Sequence, residues 1–262
     1  MDFIGEKTEG GVTRREFRLE VNGDTVPGCL WAPEGARGSR PLILLGHGGS
    51  QHKKVANLSA AAVAHARELG YATLAIDAPG HGDRVSREAA QKAREAALAA
   101  GRAAQEGRAM PQGDRPKISR DPETVDKVVA EWKAALDAVQ GLDFVGSDQK
   151  VGYWGVSMGT RFGVPFVAAE PRIACAIFGL FGVFPGLEDH KAAAEAIKVP
   201  LMFVYQWEDE LMKREQGIAL FNAFGSTEKT MHINPGRHVE IPAHERDSWM
   251  AFWKRHLEPA AG

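Results

Sequence analysis

Gly155-Val156-Ser157-Met158-Gly159 stands directly after the apolar run "KVGYWG" and before a helical pattern. Glycine weakens strands and helices alike, so two of them around one serine need a reason. G-x-S-x-G between a strand and a helix is the pattern of a nucleophile elbow. The sharp turn lifts the hydroxyl above the sheet, while the glycines let strand and helix approach without Cβ clashes. The next backbone N–H, that of Met158, is aimed into the same space. A serine hydroxyl is a weak nucleophile at neutral pH, so a base must take its proton and a carboxylate must orient that base. With such an elbow the order along the chain is Ser, acid, His. "VYQWEDELMK" and "NPGRHVEIP" each follow an apolar run farther on, which nominates Asp209 as the acid and His238 as the base. Glu208 is the rival acid. His232 lies within a strand pattern and His244 opens the last helix, so both read as structural.

The chemistry of such a trio is acyl transfer, whose tetrahedral oxyanion needs a second N–H donor beside Met158. "GHGGSQH" (46–52) supplies one, with Gly49 the first candidate and Gly48 the second. A phosphate-loop reading fails, because His52 stands before Lys53 where G-x-x-x-x-G-K-[ST] demands glycine. His47 reads as a brace for this loop. "IDAPGHGDR" (76–84) is another turn after a strand, and its Asp77, His81 and Asp83 lack the spacing of a metal site. No metal and no cofactor are expected. Trp154 beside the elbow and Trp207 beside the acid are the tryptophans nominated for substrate contact.

Elements must bring these loops together. "PLILLG", "YATLAID", "KVGYWG", "IACAIFGL" and "VPLMFVYQ" are short, nearly continuous apolar runs, with "KTMHI" a weaker one. Such runs fit strands covered on both faces, as in a parallel sheet. Helical patterns lie between them, at 55–69, from Pro122 to Val139, and at 158–170, 188–197, 211–224 and 243–257. Residues 12–21 and 26–32 around an "NGD" turn read as an antiparallel hairpin. The sum is a mostly parallel, doubly wound α/β sheet in a single domain spanning 1–262. Residues 84–120 break the rhythm, since a βα loop normally takes about 2 to 6 residues. That insertion starts with an alanine-rich helical stretch, and it is expected to form a helical cap over Ser157. Close contact of the alanine face with a second subunit, making a homodimer, is the other reading.

Composition sets the outer limits. The 262 residues carry a formal charge of -2 and are 44% hydrophobic, without a basic block. Nucleic acid and anionic membrane are therefore not the expected partners. Residues 1–20 hold no apolar core of a leader, and no apolar run of about 18 residues occurs, so a cytoplasmic protein is expected. Cys29 and Cys175, the only cysteines, read as small apolar residues on strands.

Taken in order, the hairpin, "GHGG", "D-x-P-G-H-G", "G-V-S-M-G", "WEDE" and "GRH" make the chain resemble an α/β-hydrolase over nearly its whole length, and among these the dienelactone-hydrolase-like serine esterases. Two features depart from that family. Ser157 replaces its usual cysteine nucleophile, which favours carboxylic esters in general, and Gln206 stands near the acid where the family carries glycine. The resemblance implies a serine hydrolase that cleaves a small carboxylic ester through an acyl-enzyme, without a cofactor. Thioesterase, amidase or peptidase, and acyltransferase are the alternatives on the same residues, and a hydrolase-fold binding protein without catalysis is the alternative from another class.

Overall fold

The computed structural model describes residues 1–105 and 121–258. Three antiparallel strands come first: β1 (Asp2–Glu9), β2 (Val12–Val21) and β3 (Asp24–Pro33). Alternation follows with β4 (Leu42–Gly46), α1 (Ala56–Ala64), β5 (Ala72–Ile76), α2 (Arg87–Gln105), α3 (Pro122–Gln140), β6 (Val151–Val156), α4 (Met158–Ala169), β7 (Ile173–Gly179), α5 (Glu188–Ala196), β8 (Leu201–Gln206), α6 (Arg214–Ala223), β9 (Lys229–Asn234) and α7 (Glu245–Leu257). The nine strands among the described residues join one sheet in the order β1-β2-β3-β5-β4-β6-β7-β8-β9. From β5 to β9 every neighbouring pair is parallel, while β3 meets β5 antiparallel. This is the mostly parallel, doubly wound sheet that the apolar runs predict.

Both faces of the central strands β4 to β8 are covered, which is why these strands are apolar almost throughout rather than alternating. On one face α3, α4, α5 and α6 bury Val128, Trp132, Leu136, Phe166, Ala194 and Leu220 against β6, β7 and β8. On the other, α1 and α7 bury Leu58, Ala62, Met250, Trp253 and Leu257. Each large apolar side chain buried in this way contributes roughly 2–3 kcal/mol. Cys29 and Cys175 are free and fully buried within the second layer. Burial pushes the Cys29 thiol up to about 12.

α3 begins where the sequence places it. Asp121 accepts N–H bonds from Glu123 and Thr124, and Pro122 occupies the first turn. The described part of the 84–120 insertion includes α2, most of whose described side chains are exposed. Residues 106–120, the rest of that predicted cap, lie outside the described residues. Among the described residues no helix is long and apolar enough to cross a membrane.

Three sequence expectations change. The N-terminal hairpin is a three-stranded meander, because β1 adds to β2 through a register shift between Phe3 and Gly5. All of β1 is exposed, so no apolar periodicity announces it. The predicted 211–224 helix begins only at Arg214, since Leu211 and Met212 turn their N–H groups onto the Asp209 carboxylate. The first helix ends in a π-helical turn, His65–Leu69, closed by Gly70 at φ 72°.

Candidate active site

β6 ends at Val156, and the chain turns into α4 through Ser157 at φ 58° and ψ -118°. A non-glycine residue here carries about 1–3 kcal/mol of backbone strain, tolerated only when the surroundings fix it. They do fix it. Ser157 N–H donates to Gly179 O at 2.8 Å. Thr160 Oγ1 lies 2.8 Å from Gly155 O and 2.6 Å from Gly179 O, and accepts Gly179 N–H at 2.8 Å. The threonine therefore ties the elbow to both neighbouring strands.

The glycines are steric requirements. A Cβ on Gly159 would lie 2.5 Å from Gly46 O on β4, and one on Gly155 would lie 2.7 Å from Gly159 O. Neither neighbour can yield, since both are backbone. Gly159→Ala should therefore destabilise the fold by about 3 kcal/mol, in the range of severe overpacking. Urea unfolding of the purified variant measures this, and a loss below about 1 kcal/mol would show that helix and strand are not locked together.

β8 and β9 deliver the other two groups. Ser157 Oγ–H donates to His238 Nε2 at 2.9 Å, and His238 Nδ1–H donates to Asp209 Oδ2 at 2.7 Å. The Asp209 side chain is fully buried, and its second oxygen accepts the N–H groups of Leu211 and Met212, each at 2.9 Å. This arrangement leaves the acid no other orientation. Glu208, the rival, instead accepts Gly236 N–H from the loop that carries the histidine. Glu210 accepts His238 N–H at 2.9 Å and Glu240 accepts Arg237 N–H at 2.8 Å. Gln206 Nε2 donates to Glu240 O at 2.7 Å and lies 3.3 Å from Pro235 O. The glutamine that replaces the family's glycine thus anchors the histidine loop. Below it, Glu245 bridges His232 and Asn234 of β9 to α7, so His232 is structural as expected.

The loop after β4 separates the two oxyanion candidates. Gly48 N–H is occupied by Gln51 Oε1 at 3.1 Å, whereas Gly49 N–H has no partner among the described residues. Met158 N–H belongs to the first turn of α4, where no intrahelical acceptor exists. His47 is buried, which lowers its pKa to about 4 and keeps it neutral. Its Nε2 accepts Ala78 N–H at 3.0 Å, so the proton is on Nδ1, which donates to Gly48 O at 2.8 Å. His47 braces the loop, as its position suggests.

The tryptophans part company. Trp154 is 7% exposed and packs edge-on against Trp249 of α7, in the core layer shared with Met250 and Trp253. That corrects its nomination for substrate contact: its side chain leaves β6 on the α7 face and is spent on packing. Trp207 is 44% exposed, with the Arg214 guanidinium 4.1 Å over its ring. In "IDAPGHGDR" both carboxylates turn to Lys53. The roles of Lys53, Glu210 and Thr160 escaped the sequence reading, which marked Gln206 only as a departure from the family's glycine. Only the excess of carboxylates in "WEDE" hinted at any of them.

Comparison with solved structures adds an independent line. A PEG-bound, cold-adapted esterase from an Arctic intertidal metagenomic library is 34% identical over 98% of this chain and 100% of its own, with a TM-score of 0.79. An acetyl xylan esterase from Paenibacillus sp. R4 shares 18% identity over 98% of this chain and 88% of its own, at a TM-score of 0.73. The 2,6-dihydroxy-pseudo-oxynicotine hydrolase shares 16% identity over 92% and 67%, at 0.64. The last two likenesses are of fold alone. No protein-family model matches the chain, and no curated protein does.

Proposed function

The chain belongs to the α/β-hydrolase esterases and is a carboxylesterase-like hydrolase, and on that premise we propose that it cleaves a small carboxylic ester through an acyl-enzyme on Ser157. The observation that carries the assignment is the hydrogen-bond chain Ser157–His238–Asp209, 2.9 and 2.7 Å long. Ser157 Oγ attacks the ester carbonyl while its proton passes to His238 Nε2. Asp209 holds the imidazole in the required tautomer and stabilises the imidazolium. The N–H groups of Gly49 and Met158 receive the oxyanion. Collapse expels the alcohol, protonated by His238, and leaves an acyl ester on Ser157. Water, deprotonated by the same histidine, then releases the carboxylic acid and restores the hydroxyl. Each step balances without a cofactor.

Trp207 is the aromatic wall of this reading, exposed two residues from Asp209. The described start of the insertion, residues 84–105, is read as a cap over the site. Support comes from their root, where Arg84 makes a buried bidentate pair with Glu131 of α3 at 2.7 and 2.8 Å. α2 follows β5, at the strand edge where ligands enter open α/β sheets. We place the enzyme in the cytoplasm, consistent with two free, buried thiols.

A p-nitrophenyl ester panel of increasing acyl length, with the matching thioester and anilide, tests the assignment. The ester should exceed the anilide by at least about 100-fold in kcat/KM, a gap of ~2.7 kcal/mol in transition-state stabilisation. Anilide turnover equal to ester turnover would shift the reading to an amidase. Replacing residues 86–113 by a short Gly/Ser linker should change acyl-length selectivity and KM in a monomeric core. Unchanged kinetics with a dimer falling to monomer would make the segment an assembly element instead.

A further inference from the structure

Resting on Gly49 as oxyanion donor, we propose that the buried Lys53–Asp77 ion pair is a positioning device that fixes the oxyanion loop against the elbow. Lysine is almost never fully buried unless paired. Here the Lys53 side chain is 2% exposed and that of Asp77 0%. Lys53 engages Asp77 twice, through its backbone N–H to Oδ1 at 2.8 Å and through Nζ to Oδ2 at 2.6 Å. Nζ also reaches Asp83 Oδ2 at 2.6 Å, and Asp83 N–H donates to Asp77 Oδ2 at 2.9 Å. Burial alone would lower the lysine's pKa, but the two carboxylates outweigh it and hold it above the ordinary value.

Stability does not account for such a pair, because a buried ion pair is often no better than an apolar pair of the same volume. What it supplies is a fixed separation. The loop from His47 to Lys53 is held at its near end by His47 Nε2 on Ala78 N–H, and at its far end by Lys53 on Asp77. The two anchors, Asp77 and Ala78, are consecutive residues immediately after β5. Between them lie Gly49, whose N–H is unpartnered among the described residues, and Ser50 at φ 57°. Two clamps on one rigid turn define where the Gly49 N–H stands relative to the elbow. With one clamp gone, the loop could pivot about His47, and displacement of about 1 Å is enough to cost roughly 100-fold in rate.

The test uses the full-length enzyme and the double variant Lys53→Met/Asp77→Asn, which strands neither charge. We expect kcat to fall about 30- to 100-fold, near the loss of one oxyanion donor, while KM stays within about threefold. Affinity for a trifluoromethyl ketone, which forms a tetrahedral adduct on the serine, should fall by the same factor as kcat/KM. A lower Tm with kcat and ketone affinity unchanged would overturn the proposal, leaving the pair as mere packing. Should the double variant not fold, Asp83→Asn decides, because that side chain is 63% exposed and its loss leaves Lys53–Asp77 intact but looser. A severalfold drop in kcat at constant KM then supports the proposal, and wild-type kcat contradicts it. Ester turnover surviving in Ser157→Ala would instead remove the acyl-enzyme reading, whatever the pair does.

Discussion

Ester turnover should fall by roughly 10^3-fold or more in Ser157→Ala and equally in His238→Ala, and the double variant should lose little beyond either single one. The reason is the geometry of transfer. His238 Nε2, 2.9 Å from Ser157 Oγ, can take the proton only if the hydroxyl is there to give it, so the two residues contribute one event. Folding should be nearly untouched in Ser157→Ala. The positive φ at this position strains alanine as it strains serine, and the Ser157 N–H to Gly179 O bond survives the change. Additive losses in the double variant would mean that one residue acts outside the proposed chain of hydrogen bonds.

Asp209→Asn should cut kcat by about 10^3- to 10^4-fold, whereas Glu208→Gln should cost less than about tenfold. Asp209 Oδ1 is committed to the N–H groups of Leu211 and Met212. An asparagine must keep its carbonyl there and therefore turns its NH2 toward His238 Nδ1. That nitrogen then has to accept, and the proton moves to Nε2, where it faces Ser157 Oγ and blocks general-base action. Glutamine at 208 still accepts the Gly236 N–H, so the histidine loop keeps its anchor. Steady-state kinetics on one activated ester rank the two variants. The reverse ranking would move the acid to Glu208, and two small effects would place it elsewhere.

Much of this site was legible because its chemistry demands unusual local sequence. Gly155 and Gly159 betray the elbow, since no side chain fits where Gly46 O and Gly159 O stand. Asp209 and His238 follow from their place after apolar strands in the required order. The parallel sheet follows from runs with no polar face. What stayed hidden depends on partners distant in sequence. Lys53 looks like any surface lysine until Asp77 and Asp83 close over it. Gln206 looks like a strand end until Pro235 and Glu240 present their carbonyls. Trp154 sits beside the elbow in sequence, yet its side chain leaves on the α7 face to meet Trp249. β1 has no buried side chain, so only pairing with β2 creates it.

The most direct measurement of the central claim is mass spectrometry of the enzyme inactivated by a fluorophosphonate. Nucleophilic attack by the serine displaces fluoride and leaves a stable phosphonyl ester. The account predicts one equivalent of adduct on the peptide carrying Ser157, formed in step with loss of ester turnover. The same adduct should form far more slowly in His238→Ala and be absent from Ser157→Ala. Complete inactivation with Ser157 unmodified, or an adduct of equal yield in Ser157→Ala, would contradict it.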